Sequence, residues 1–287
     1  MKSLITRSIS GIVFLAIMVG GILFSPVTYA CLMSIILIVM LWEFYRMTLG
    51  EKHKAIGITA GIAWWAAFIL LFESEYTYAI GLFFAIFILI LWLSLFIQQL
   101  YRKEEQPFRT IAYTLLGFMY IVLPWSLLNF IVYDFWFISD FAAKGYNGNL
   151  LLAMFILLWC SDVGAYVFGM LFGRHGKHKL FPSISPKKSW EGFIGGVLTA
   201  LAAAYIINLF DFISLGLIHT LIIALLIAVF GVFGDLVESM LKRSVGVKDS
   251  GKIMPGHGGL LDRFDAALLA FPVAWAYLLI VTMFGFT

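Results

Sequence analysis

The chain has 287 residues, 62% of them hydrophobic and 12% charged, with 19 basic and 16 acidic side chains and a formal net charge of +3. Its mean hydropathy is +1.00, whereas a soluble globular domain runs at roughly 45–50% apolar and about 25% charged, so the composition excludes that class and predicts a polytopic membrane protein. Strand-length alternation of apolar and polar residues is absent and no polar stretch is long enough to fold alone, so the spans are expected to be helices rather than barrel strands.

In chain order the apolar runs fall at residues 8–24, 28–48, 55–72, 76–97, 110–133, 149–172, 190–209, 214–234 and 261–285. The expected fold class is therefore all-α, with about nine transmembrane helices. Gly20 and Gly21 interrupt the first run and Pro124 the fifth. Both are tolerated in a bundle, where neighbouring helices satisfy the freed backbone groups. The first run, followed by S-P-V-T-Y-A-C, also has the shape of a cleavable signal peptide. It is expected to be retained, because the next span follows at once. Cys31 and Cys160 both fall inside expected spans, so neither a disulfide nor a metal cage is expected.

The loop charges test that layout. With the N-terminus cytoplasmic, one set of helix ends collects Lys2 and Arg7; Arg46, Lys52 and Lys54; Arg102, Lys103 and Arg109; Arg174, Lys177, Lys179, Lys187 and Lys188; and Lys242, Arg243, Lys248, Lys252 and Arg263. Of the 19 basic residues, Lys144 alone lies on the other side, whose loops carry Glu73, Glu75, Asp134, Asp140 and Asp211. This is the asymmetry of the positive-inside rule, and a missed or invented helix would scramble it for every later loop. The segregated basic face is suited to anionic headgroups and phosphates, and no nucleic acid is expected as a partner.

Two inner segments are too polar to be mere connectors. In residues 161–196, Arg174, His175, Lys177, His178 and Lys179 form a basic cluster, Ser185-Pro186 reads as a turn, and Lys187 and Lys188 stand just before the seventh span. Ser189 is the expected cap of that helix, whose first amides and partial positive charge face the same side. The plainer reading is that these cations only anchor topology.

The second segment, residues 234–266, holds Asp235, Glu238, Lys242, Arg243, Lys248, Asp249, Lys252, Asp262, Arg263 and Asp265, with His257 among Gly251, Pro255, Gly256, Gly258 and Gly259. Charges cost ~2.5–3.5 kcal/mol each at a helix centre, so this stretch must lie at or above the interface. Glu238 precedes Lys242 by four, the favourable order for a local ion pair. Asp262 and Asp265 are three apart on one face of the ninth helix, with Arg263 directed elsewhere.

No G-x-x-x-x-G-K-[ST] occurs, but carboxylates and cations around a glycine-rich backbone match the needs of phosphoryl or nucleotidyl transfer. The candidates for the chemistry are Asp235, Lys248, Asp249, His257, Asp262 and Arg263. Those for holding phosphate are Ser185, Lys187, Lys188, Lys242, Arg243, Gly258 and Gly259. His257 could equally bond its own turn, and Asp249 and Asp265 could equally pair with neighbouring cations. A transporter needs ionisable groups near the midplane, yet apart from Asp162 and the interfacial Glu43 and Glu191 the spans are bare of charge.

The run from Ser239 to Asp265, SMLKRSVGVKDSGKIMPGHGGLLDRFD, resembles the signature of the phosphatidate cytidylyltransferases, or CDP-diacylglycerol synthases. It holds S-x-x-K-R, K-D, H-G-G and D-R-x-D at that family's spacing. Met254 replaces a commoner bulky apolar residue, and Ser189 replaces the usual Thr in S-P-K-K-[ST]-W-E-G. The likeness is strong over the C-terminal half, including S-D-x-G-A-Y at Ser161–Tyr166, and extends to the N-terminal half only in outline.

The resemblance implies transfer of the CMP moiety of CTP to phosphatidate, giving CDP-diacylglycerol and pyrophosphate. It implies Mg2+, with room for a second cation, on Asp235 of G-D-L-V-E-S and Asp262 of D-R-F-D, while the basic residues of both segments hold substrate phosphates. The enzyme would be a multi-pass protein of the plasma (inner) membrane, in contact with membrane lipids and with its site on the cytoplasmic face. Residues 149–287 would carry the catalytic loops, and residues 1–148 are expected to be scaffold and the contact of a homodimer. A polyprenol kinase is the alternative CTP-using enzyme, and the D-G-x-x-A-R pattern of the CDP-alcohol transferases is missing.

The distribution of basic residues makes a topological prediction. In a background lacking Cys31 and Cys160, single cysteines near Lys52, Gln106 and His178 should be shielded from an impermeant thiol reagent in intact cells, whereas those near Ser74 or Asn147 should react. Labelling at position 178 from outside would overturn the helix count.

Overall fold

The computed structural model describes residues 2–50, 54–73, 77–133, 145–173, 178–251, 253 and 258–284. Each expected span coincides with a helix: α1 (Lys2–Leu23), α2 (Pro26–Leu49), α3 (Lys54–Glu73), α4 (Thr77–Tyr101), α5 (Pro107–Val132), α6 (Asn149–Phe172), α7 (Trp190–Leu209), α8 (Leu217–Ser244) and α9 (Leu261–Met283). Among the described residues six of these, α2 and α5 to α9, are long and apolar enough to cross a bilayer. The chain is an all-α, multi-pass membrane protein.

Local chemistry sets several helix ends. Ser25 caps α2 by accepting from the Thr28 amide at 3.1 Å, and the Thr28 hydroxyl accepts from the Ser25 amide at 3.0 Å. This reciprocal cap precedes Pro26 at the first helical position, where its missing N–H costs nothing. Ser189 caps α7 as expected, accepting from the Gly192 amide at 3.2 Å. Within α5, a π turn at Phe118–Val122 comes just before Pro124. The proline cannot donate to the carbonyl four residues back and its ring crowds that carbonyl, so the helix widens there.

The eighth helix carries its polar end as the spacing of Asp235, Glu238 and Lys242 predicts, running on to Ser244, with Glu238 and Lys242 one turn apart. One sequence expectation needs correction. Ser185-Pro186 is not a turn: it opens β2 (Ser185–Ser189), which pairs antiparallel with β1 (Lys179–Phe181). The chain reverses between the strands, and β2 leads directly into α7. Lys187 and Lys188 are thus fixed on a hairpin.

In lipid there is little hydrophobic drive between helices, so close packing and interhelical hydrogen bonds hold the bundle. Rings from α1, α5, α6 and α9 interlock, with Phe264 centroids 5.9 Å from Phe14, 5.2 Å from Trp125 and 5.9 Å from Phe155. Indole donors stitch α2, α3 and α5: Trp65 donates to the Ser34 hydroxyl at 2.8 Å, Trp64 to the Ser126 hydroxyl at 3.0 Å, and Trp125 to the Met33 carbonyl at 3.0 Å.

Glycines let the C-terminal helices approach. A Cβ on Gly164 of α6 would lie 2.2 Å from the Thr199 hydroxyl of α7, and one on Gly195 would lie 2.2 Å from the Phe168 Cβ. On α8, a Cβ at Gly234 would lie 2.5 Å from the Asp265 carbonyl of α9. That last contact puts Asp235 beside the acidic start of α9.

Gly195→Ala should therefore destabilise the protein by roughly 1–3 kcal/mol, the usual cost of overpacking. Gly20→Ala, with nothing within 4 Å of the new methyl, should be neutral or stabilising by up to about 1 kcal/mol. Thermal unfolding of both purified variants in one detergent is the check, and equal midpoints would contradict the close approach of α6 and α7.

Candidate active site

α1 and α6 to α9, with the hairpin between α6 and α7, surround a cavity of about 1370 Å³. Its lining is mixed. Gly11, Phe14 and Leu15 of α1 and Trp159, Val163 and Tyr166 of α6 line it with apolar groups, with Asp162 among them. Lys187, Lys188, Asp235, Lys242, Asp262 and Arg263 line it with charge. Asp249, Gly251 and Gly258 bring the loop between α8 and α9 to the same space.

Each carboxylate is held differently. Asp235, 41% exposed at its side chain, has Oδ2 2.6 Å from the Lys188 ammonium. The Ser239 hydroxyl donates to its Oδ1 at 3.2 Å. Lys188 also donates to the Val232 carbonyl at 3.4 Å, so the hairpin is fastened to α8 through its second lysine. Asp262 is enclosed by donors: Lys242 at 2.6 Å from Oδ1, the Ser250 amide at 3.3 and 3.1 Å from its two oxygens, and the Gly259 amide at 2.8 Å from Oδ2. Gly258 has φ +86 and a Cβ there would lie 2.8 Å from Asp262 Oδ2, so the turn can hold only glycine without strain.

Lys242 ties this to α8, since its ammonium pairs with both Asp262 and Glu238. Glu238 is completely buried. The expected ion pair one turn apart is present, but it is a buried strut rather than a surface decoration.

Of the sequence candidates, the cavity gathers Lys187, Lys188, Asp235, Lys242, Asp249, Gly258, Asp262 and Arg263. Arg263 was expected to point away, and it lines the cavity instead, because the cavity wraps around the first turn of α9. Gly259 contributes its amide to Asp262. Lys248 is exposed on the loop, Arg243 is exposed and donates to the Val247 carbonyl, and Ser185 stands at the far end of β2. No ion pair of Asp249 appears among the described residues. Arg174, His175, Lys177, Lys252 and His257 lie outside the described residues.

Asp162 and Asp265 complete the acidic lining. Asp162 carried a signal in the sequence, since a carboxylate within a span is a site candidate by default. Glu43 carried only a weak one, because its partners lie more than 200 residues away, at Ser250 and Leu261.

Comparison with known proteins places this arrangement. The model of the cytidylyltransferase family matches residues 5–281. The chain belongs to that family. A phosphatidate cytidylyltransferase of Bacillus subtilis is 33% identical over 280 residues, covering 94% of both chains. Those of Staphylococcus haemolyticus and Staphylococcus aureus (strain COL) are 38% and 37% identical over 178 residues, 61% of this chain and 67% of each relative. In this cytidylyltransferase, residues of both polar segments singled out in the sequence, 161–196 and 234–266, line the cavity.

The strut predicts a stability effect separable from chemistry. Lys242→Met leaves Glu238 buried and unpaired and should cost about 3–5 kcal/mol. Adding Glu238→Gln, which removes the stranded charge, should recover most of it. Thermal unfolding without substrates tests this, and a double variant no more stable than Lys242→Met would refute the account.

Proposed function

We propose that this cavity joins a water-soluble nucleotide to a membrane lipid: it transfers the CMP moiety of CTP to phosphatidate, forming CDP-diacylglycerol and pyrophosphate. The observation that carries the reading is the mixed lining of one cavity, where apolar side chains of α1 and α6 stand with cations and carboxylates of the hairpin, α6, α8 and α9. An amphiphile needs the first for its chains and a triphosphate the second. The chain's near full-length alignment with the Bacillus subtilis enzyme supports the same substrates.

In the reaction a phosphatidate phosphate oxygen forms a bond to the α-phosphorus of CTP, and the bond from that phosphorus to the β-phosphate oxygen breaks. The electron pair leaves on pyrophosphate. The protein's task is to hold two polyanions in line and neutralise them. Lys187 and Lys188, on a rigid hairpin, and Arg263, on the first turn of α9, hold the phosphates. Lys242 serves indirectly by fixing Asp262.

The donor set fits Mg2+, which takes hard oxygen ligands and is commonly held by one or two carboxylates plus substrate phosphates and water. No cluster of three or more metal-ligating side chains occurs among the described residues, and none is needed for that mode. Asp235 and Asp262 would hold the ion, which when bound supplies charge neutralisation for the triphosphate. The ammonium already resting on Asp235 supports this position as one that demands a cation. The cavity is read as facing the cytoplasm, where CTP is found, from the plasma (inner) membrane.

Purified protein should form CDP-diacylglycerol from CTP and phosphatidate, and no phosphorylated product from CTP and a polyprenol. Asp235→Asn and Asp262→Asn should each lower turnover at least ~100-fold, about 2.7 kcal/mol of barrier, across a Mg2+ titration. Asp249→Asn should be milder. Near-normal turnover of either of the first two would remove that residue from the metal site.

A further inference from the structure

Glu43 belongs to α2, in the half of the chain expected to be scaffold, yet its bonds run to the catalytic loop. The side chain is completely buried. Its Oε2 accepts from the Leu261 amide at 2.8 Å and from the Ser250 hydroxyl at 3.1 Å. The loop is shaped around it: a Cβ on Gly251 would lie 2.1 Å from Oε1, and one on Gly259 would lie 2.6 Å from Oε2.

These contacts interleave with those of Asp262. Ser250 gives its hydroxyl to Glu43 and its amide to Asp262. At the other end of the loop, Gly259 gives its amide to Asp262 and Leu261 gives its amide to Glu43. The start of α9 has no capping side chain before it, since Leu260 stands at the cap position. Its first amides must find acceptors elsewhere, and Glu43 takes that of Leu261 with the favourable charge for a helix N-terminus, while Asp262 takes that of Gly259 just before the helix. Burying a carboxylate is costly, and here Oε2 carries both bonds while the buried Oε1 has no hydrogen-bond partner among the described residues, so a purely packing role would be better met by an apolar residue.

We propose that Glu43 is a positioning residue for the transfer reaction: by holding Ser250 within the loop between α8 and α9 and Leu261 at its end, it sets the amides that present Asp262 to the cavity. The inference rests on the reading of Asp262 as a metal ligand, and its test keeps the two apart. Glu43→Ala should raise the half-saturating Mg2+ and CTP concentrations ~10–100-fold, the range for groups that orient a metal's ligands, with turnover at saturation falling much less. Glu43→Gln, which keeps one acceptor oxygen, should rescue most of that shift. Ser250→Ala should give a smaller shift, and Glu43→Ala with Ser250→Ala no more than Glu43→Ala alone, because the two act through one contact.

A second readout does not depend on activity. In metal-free protein, amide hydrogen exchange across residues 258–262 should rise at least ~10-fold in Glu43→Ala and stay near native in Glu43→Gln, as expected when a local opening is made easier. Unchanged exchange with unchanged half-saturation overturns the proposal. Lower thermal stability with unchanged half-saturation also overturns it, showing a structural role only. Should Glu43→Ala not fold, Glu43→Gln and Ser250→Ala carry the test: a native-like Gln variant with a shifted Ser variant supports it, and two native-like variants refute it. Full activity of Asp262→Asn would instead remove the metal assignment, with the exchange data still deciding whether Glu43 holds the loop.

Discussion

The site hangs on one ammonium. Lys242 lies between the buried Glu238 on its own helix and Asp262 at the start of the next. A buried carboxylate without a partner is costly, and so is a buried lysine, so the three groups stabilise one arrangement of α8 against α9 and destabilise its neighbours. Because the strut ends on Asp262, the same interaction that joins two helices also fixes a carboxylate at the cavity. Stability and geometry are coupled there by construction.

What surrounds the strut extends the logic outward. Gly234 allows the backbones of α8 and α9 to approach at Asp265, which brings Asp235 and Asp262 to one space. The hairpin is latched to α8 where Lys188 meets Asp235. Glu43 reaches in from α2 to the far side of the loop. Helices from the first half thus bear on the site in two places, through the apolar side chains of α1 and through this carboxylate on α2.

Helices, spans and chemical class were legible in the sequence because each has a local cause. Twenty-residue apolar runs must be helical in a bilayer, where every backbone group needs an internal partner. Ser189 could be read as a cap because a cap bonds within three residues, and Glu238 with Lys242 as a pair because they are one turn apart. The signature from Ser239 to Asp265 was legible as contiguous sequence, and with it the enzyme family.

What failed, or was not seen, depended on pairing that the order of residue types does not display. Ser185-Pro186 became strand because β1, four residues back, offered partners. Arg263 joined the cavity through the way the cavity wraps α9, and Glu43 joined the site through partners 207 and 218 residues away. By itself the sequence determined that the chain crosses a membrane as helices and carries a cytidylyltransferase signature, since periodicity, hydropathy and contiguous motifs are properties of neighbours along the chain. Only the tertiary structure decided which carboxylates face the cavity and which are spent holding it together, because that depends on which helix faces approach closely enough for a buried charge to find its partner.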